Sequence, residues 1–227
     1  RWSVEMEIEA QHYFQPIFER LRKTPDDTLL SELVNREIPE WGRPMNDNEL
    51  HAEMMADTFV GGSETTTNDL SGGIMLLCES PDVRAEVKSD QEKYLRPFIE
   101  EVLRLESPVQ GLFRTAAADV VLGGVSIPEG SSINIRYAAA NRDEAEFECP
   151  ASIDLDRDKP ARHMTFGSGI HHCLGAPLAR RELWWGFKAF FDRIEEVHVI
   201  PEANDFRHQS NIALRILKEL QIGFTQT

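Results

Sequence analysis

Residues 166–175 read Phe166-Gly167-Ser168-Gly169-Ile170-His171-His172-Cys173-Leu174-Gly175, and Ala176-Pro177-Leu178-Ala179-Arg180 follows. Glycines loosen a loop that carries one cysteine near its end. A helical run begins directly after it, with Pro177 in the first turn, where a missing N–H costs little. The thiol therefore stands just before a helix N-terminus, whose dipole and free N–H groups favour thiolate over thiol. A thiolate held this way is a nucleophile or a metal ligand. The plain alternative is a structural cysteine buried in a glycine turn. The spacing Phe-x-x-Gly-x-x-x-Cys-x-Gly weighs against it, because four fixed positions match by chance on the order of one time in a thousand in such a chain.

Working outward, the 227 residues suffice for one or two domains with a real core. Apolar residues make up 41% and charged residues 28%, as in an ordinary soluble globular protein. The net charge of −15 argues against general nucleic-acid binding, which needs a positive footprint. No apolar run approaches the ~20 residues that span a bilayer, so no membrane partner is expected. Cys78, Cys149 and Cys173 are odd in number and scattered, which suits a reducing cytoplasm and not a disulfide framework.

Residues 2–22 read as an amphipathic helix with Phe14, Ile17, Phe18 and Leu21 on one face. Thr24-Pro25-Asp26-Asp27 reads as the start of a short helix running to Asn35. A long helix is expected over 46–78, opened by Asn46 with Glu49 reaching back. Gly61-Gly62 and three threonines interrupt it. Two interior glycines cost about 2 kcal/mol relative to alanine, so the expectation is a continuous but locally distorted helix with bare backbone at the glycines. Ser80-Pro81 starts another helix, and residues 91–106 form a further one containing Glu101 and Arg104 at i,i+3. Short strands are expected over 109–136, a polar meander and the cysteine loop over 142–176, a helix over 177–193, and terminal strands over 197–227. The fold class read from this order is mostly α with small β-sheets (α+β), in a single unit over 1–227.

Four motifs now stand in one order: Gly61-Gly62-Ser63-Glu64-Thr65-Thr66, Glu101-x-x-Arg104, Asp154-Leu155-Asp156-Arg157 and the cysteine loop. Together they resemble the oxygen-binding helix, the Glu-x-x-Arg pair with its joining arginine, and the haem-binding loop of the cytochrome P450 family of haem-thiolate monooxygenases, soluble bacterial type. The resemblance covers nearly the whole chain and aligns it with the C-terminal, haem-binding half of that fold. It implies haem b (iron protoporphyrin IX) with Cys173 as axial thiolate and metal ligand, packed by Phe166 and approached by backbone at Gly167, Gly169 and Gly175. It implies Arg114, His163 and His171 as propionate partners, and Gly61 and Gly62 as the notch for dioxygen. Thr65 and Glu64 would deliver protons. Val60, Val109, Leu112, Phe113 and Ile212 would line the pocket of a small apolar substrate. Glu101, Arg104 and Arg157 would form a structural clamp on the meander.

The implied reaction is hydroxylation or a related oxidation by dioxygen, two electrons and two protons. Electrons would come from NAD(P)H through a ferredoxin reductase and a ferredoxin, with Arg180 and Arg181 as a local basic patch for an acidic partner. A missing N-terminal half or a second chain is expected to supply the rest of the fold. Two other readings remain at this level: a peroxide-using or gas-sensing haem protein without a redox partner, or a fragment inactive alone. A zinc site from His163, His171, His172 and Cys173 is disfavoured, because adjacent side chains converge poorly on a tetrahedral ion.

Overall fold

The computed structural model describes residues 2–227, in two compact units, one up to Ser63 and one from Glu64 to Thr227. The first unit holds α1 (Trp2–Lys23), α2 (Leu29–Asn35) and α3 (Asp47–Ala52). The 3–4 spacing of Phe14, Ile17, Phe18 and Leu21 does what the pattern predicts: Phe18 and Leu21 are buried with Val34, Leu50 and Met54, and Phe14 and Ile17 pack around them. Asn46 and Glu49 form a reciprocal capping box at α3. The start of α2 differs from expectation. Asp26 accepts the hydroxyl and the N–H of Thr28, and Thr28, not Thr24, caps the helix by accepting from Ser31 N. The acid pulls Thr28 into an extended turn and delays the helix by a turn.

The distortion expected near Gly61-Gly62 is larger than a local kink. Residues Glu53–Glu64 are wound as a π-helix, and regular α-winding resumes in α4 (Thr65–Glu79). A π stretch of this length is unusual and marks a helix pulled away from its preferred pitch.

In the second unit α4 is followed by α5 (Pro81–Ser89) and α6 (Gln91–Glu106). Pro81 sits in the first turn of α5 as expected, but the Ser80 side chain makes no capping bond. The core joins α4, α5, α6 and the later helix α8 (Ala176–Arg193) through Leu77, Val87, Leu95, Phe98, Val102, Leu103, Leu183, Phe187 and Phe191. Gly73 makes the close crossing possible, since a Cβ there would collide with the Phe187 ring and crowd Val102. The last nine residues of α6, Phe98 to Glu106, are all buried, charged residues included.

Three two-stranded antiparallel sheets decorate this core. Strand β1 (Leu112–Thr115) pairs with β4 (Ser132–Ile135) in the register Arg114 to Ile133. Strands β2 (Val120–Leu122) and β3 (Val125–Ile127) form a hairpin whose Gly123-Gly124 turn has φ of +57° and +81°, the conformation that matches strand twist. After the short α7 (Tyr137–Ala140) the chain runs without long elements to α8. Strand β5 (Ile194–Val199) pairs with β6 (Ile222–Gln226), which starts later than the apolar run from Ile216 suggests, because Ile216 is drawn into the interior. No helix among the described residues is long and apolar enough to cross a membrane.

Candidate cofactor-binding site

The cysteine loop folds back on itself. Cys173 N–H donates to the Phe166 carbonyl at 2.9 Å, Gly167 N–H to Met164 O, and His172 N–H to Gly169 O. Gly167 and Gly169 have φ of +66° and +67°, the left-handed region that a side chain resists. Gly175 leads into α8, with Pro177 in its first turn. The free thiol of Cys173 is exposed at that helix start. A Cβ on Gly175 would merely touch the sulfur at 3.8 Å.

Two neighbours of the thiol carry the test of what it holds. Ile170 and Leu174 are each 97% exposed, and Leu178 one turn on is 61% exposed. Bare apolar side chains on both sides of a thiol in one short loop make a surface that an apolar body can cover. A broad apolar disc with one metal-binding centre, such as haem, fits a thiol flanked in sequence by bare aliphatic side chains. Among the described residues no three His, Cys, Asp or Glu side chains converge as a metal-holding group.

His163 corrects the sequence expectation. Its side chain is buried. The Thr165 N–H donates to Nδ1 at 3.4 Å, which leaves Nε2 to donate to Glu100 Oε2 at 3.0 Å. A ring used on both nitrogens inside the protein is not available to a propionate. Arg114 stands on β1 and donates to the Phe113 carbonyl, and His171 is exposed in the loop.

Arg180 likewise differs from its expected role as a free surface cation. Its Nε and Nη2 donate to Glu100 at 2.7 and 2.9 Å, and its guanidinium lies 4.6 Å from the centre of the Phe166 ring. Phe166 packs on the helical core and beside the His163 and His172 rings. Burial pushes the Glu100 carboxyl up, but the bonds from His163 and Arg180 outweigh it and hold the group at about 2. Glu100 escapes a sequence reading because nothing marks it apart from standing beside Glu101. Asn141 escapes too: its Oδ1 accepts the Met164 N–H and its Nδ2 reaches Thr165 Oγ1, stitching the loop entrance to α7.

The Glu101–Arg104–Arg157 clamp forms in full. Arg104 donates in a fork to both Glu101 oxygens at 2.8 Å, and Arg157 Nε reaches Oε1 at 2.9 Å. The rest of Arg104 holds the carbonyls of Asn141, Pro150 and Ser152, and Asp154 N–H closes on Glu101. Glu101 and Arg104 are both fully buried. Burial raises the Glu101 carboxyl, and the two guanidinium partners more than reverse this.

The oxygen-binding motif spans the end of the π-wound segment and the start of α4. A Cβ on Gly61 or Gly62 would meet no atom within 4 Å. Glu64 is exposed and Thr65 half-buried. Of the pocket candidates, Val60, Leu112, Phe113 and Ile212 are 54%, 43%, 49% and 73% exposed. A bridge between Val109 and Leu214, with Gln110 N–H on the Ala213 carbonyl, sets the C-terminal turn beside the entry to β1. Residues a hundred apart in sequence thus lie side by side there.

A family model described as Cytochrome P450 matches residues 4–204. The putative cytochrome P450 140 of Mycobacterium tuberculosis is 41% identical over 182 residues, covering 79% of this chain and 41% of the relative. The substrate-free cytochrome P450 CYP150A6 of Mycobacterium marinum superposes with a TM-score of 0.90 at 29% identity, over 98% of this chain and 56% of that one. CYP109E1 of Bacillus megaterium, in complex with testosterone, gives 0.87 at 35% identity, over 97% of this chain and 59% of that one. The chain spans about half the length of the curated relatives it matches.

Proposed function

The chain belongs to the cytochrome P450 family, and from that premise we propose that it forms the haem-ligating part of a haem-thiolate monooxygenase acting on a small apolar substrate. The observation that carries this reading is the exposed Cys173 thiol at the start of α8, flanked by bare Ile170 and Leu174. When bound, haem with a cysteinate ligand supplies reductive activation of dioxygen, the sulfur's electron density favouring O–O cleavage.

This chain's residues then divide the remaining work. Cys173 offers its sulfur from a backbone fixed by its own N–H bond to Phe166. Arg114 and His171 pair with the propionates. Gly61 and Gly62 keep the helix surface bare for dioxygen. Thr65 holds a proton at its hydroxyl and Glu64 renews it from solvent, an acid beside an alcohol. Val60, Val109, Leu112, Phe113 and Ile212 exclude water and meet the substrate; the testosterone bound by the Bacillus megaterium neighbour belongs to the same apolar class.

Electrons come from NAD(P)H through a ferredoxin reductase and a ferredoxin in the cytoplasm. Arg181, exposed on α8, remains for an acidic partner once Arg180 is committed to Glu100. The activity is that of the complete fold. It is tested in the full-length protein by the reduced carbon monoxide spectrum. A strongly red-shifted Soret band that disappears in Cys173→Ala is the expected result. An imidazole-type spectrum, or a band that survives the substitution, overturns the reading.

A further inference from the structure

We infer that Glu100 is a positioning residue for the cysteine loop, a role separate from that of Glu101; the inference rests on the proposed haem-thiolate function. Glu100 lies in α6, and its side chain is 4% exposed. Its two oxygens collect both ends of the loop. His163, three residues before Phe166, reaches Oε2 at 3.0 Å. Arg180, seven residues after Cys173, spans Oε1 and Oε2 at 2.7 and 2.9 Å. The carboxylate is thus the common anchor for a segment whose own backbone has glycine hinges with positive φ.

The anchor reaches the sulfur through one further step. The Arg180 guanidinium lies over the Phe166 ring at 4.6 Å, and the Phe166 carbonyl accepts the Cys173 N–H at 2.9 Å. Glu100 therefore orients Arg180, Arg180 covers Phe166, and Phe166 fixes the backbone that aims the thiol. The planar fork of arginine suits both the bidentate carboxylate and the stacked ring, which a lysine cannot serve together. Glu101, the next residue of α6, accepts instead from Arg104, Arg157 and the Asp154 N–H, and Arg104 in turn holds the Asn141 carbonyl. Two adjacent acids on one buried helix thereby hold two different segments, one the meander and one the ligand loop. Ligand geometry set by such outer partners decides how well a metal centre works.

The test uses the full-length holoprotein with Glu100→Gln and Arg180→Lys, the second keeping the charge at a partly exposed site where folding survives. Two readouts are taken: the red-shifted Soret band of the reduced carbon monoxide complex, and amide hydrogen exchange across 166–174 against exchange in α6. The expected result is exchange faster by about ten-fold in the loop with α6 unchanged, and conversion of part of the red-shifted band to an unshifted one. Wild-type exchange and an intact band in Arg180→Lys overturn the inference, even if Glu100→Gln fails to fold. A wild-type protein that lacks the red-shifted band instead refutes the haem-thiolate function, and the exchange readout still tests the clamp.

Discussion

Asp69, on the face of α4 turned to α6, is an acid 4% exposed whose Oδ1 has no hydrogen-bond partner among the described residues. Burial, with the charge of Glu106 adding to it, pushes its carboxyl well above the usual range. Glu106 is itself raised by burial, offset in part by Arg215 and Arg142. The native protein thus holds a proton on Asp69 more tightly than the unfolded chain does. With more protons bound in the native state, stability from this group falls as pH rises above the ordinary aspartate value. Asp69→Asn is therefore expected to unfold later than wild type near pH 7, with the difference closing near about pH 4. Thermal melts across that range check it, and a pH-independent difference contradicts the assignment. At Thr65 the expected outcome is kinetic. Thr65→Ala in the full-length enzyme should divert reducing equivalents into hydrogen peroxide, read as a lower ratio of product formed to NAD(P)H consumed.

At the scale of elements, the crossing of α4 over α6 and α8 depends on Gly73. Gly73→Ala drives a methyl into the ring of Phe187, a buried side chain in the middle of the core, and against Val102. Overpacking of this kind costs about 1–3 kcal/mol, measurable as a lower urea midpoint with an unchanged slope. Gly186→Ala is the comparison: its methyl would meet only the end of Leu70, a side chain that can turn aside, so a smaller loss is expected. The same elements show how far sequence reading reached. Helix α6 was legible to its last residue, because Ser107-Pro108 closes it, and Asp90 caps its start by accepting the Lys93 N–H. The start of α2 was not, since Thr24-Pro25 and Thr28 offer equally good caps and the Asp26–Thr28 bonds decide between them. The π-winding of 53–64 was legible only as a disturbance. Two glycines weaken a helix without specifying the pitch it relaxes to.

For the whole molecule, the Glu101 clamp is what allows a long polar segment to sit on a helical core. Glu101→Gln leaves Arg104 and Arg157 buried beside an uncharged partner, and removing one member of a buried ion pair costs about 3–5 kcal/mol. Urea unfolding of the full-length protein should show a loss of that size together with poorer haem retention, whereas Arg36→Ala, which breaks an exposed pair with Glu32, should lie within about 0.5 kcal/mol of wild type.

The sequence by itself determined the family, the cysteine loop that carries the family's motif, the order of helices and strands, and the pairing of Glu101 with Arg104, because each is written in spacing along one stretch of chain. The tertiary structure alone decided that His163 and Arg180 belong to Glu100, that Phe166 lies beneath a guanidinium, and that an acid is buried at position 69. Those outcomes turn on which side chains meet across 63 or 80 residues of chain. A buried carboxylate takes whichever donors the fold brings to it, and no local pattern records that choice.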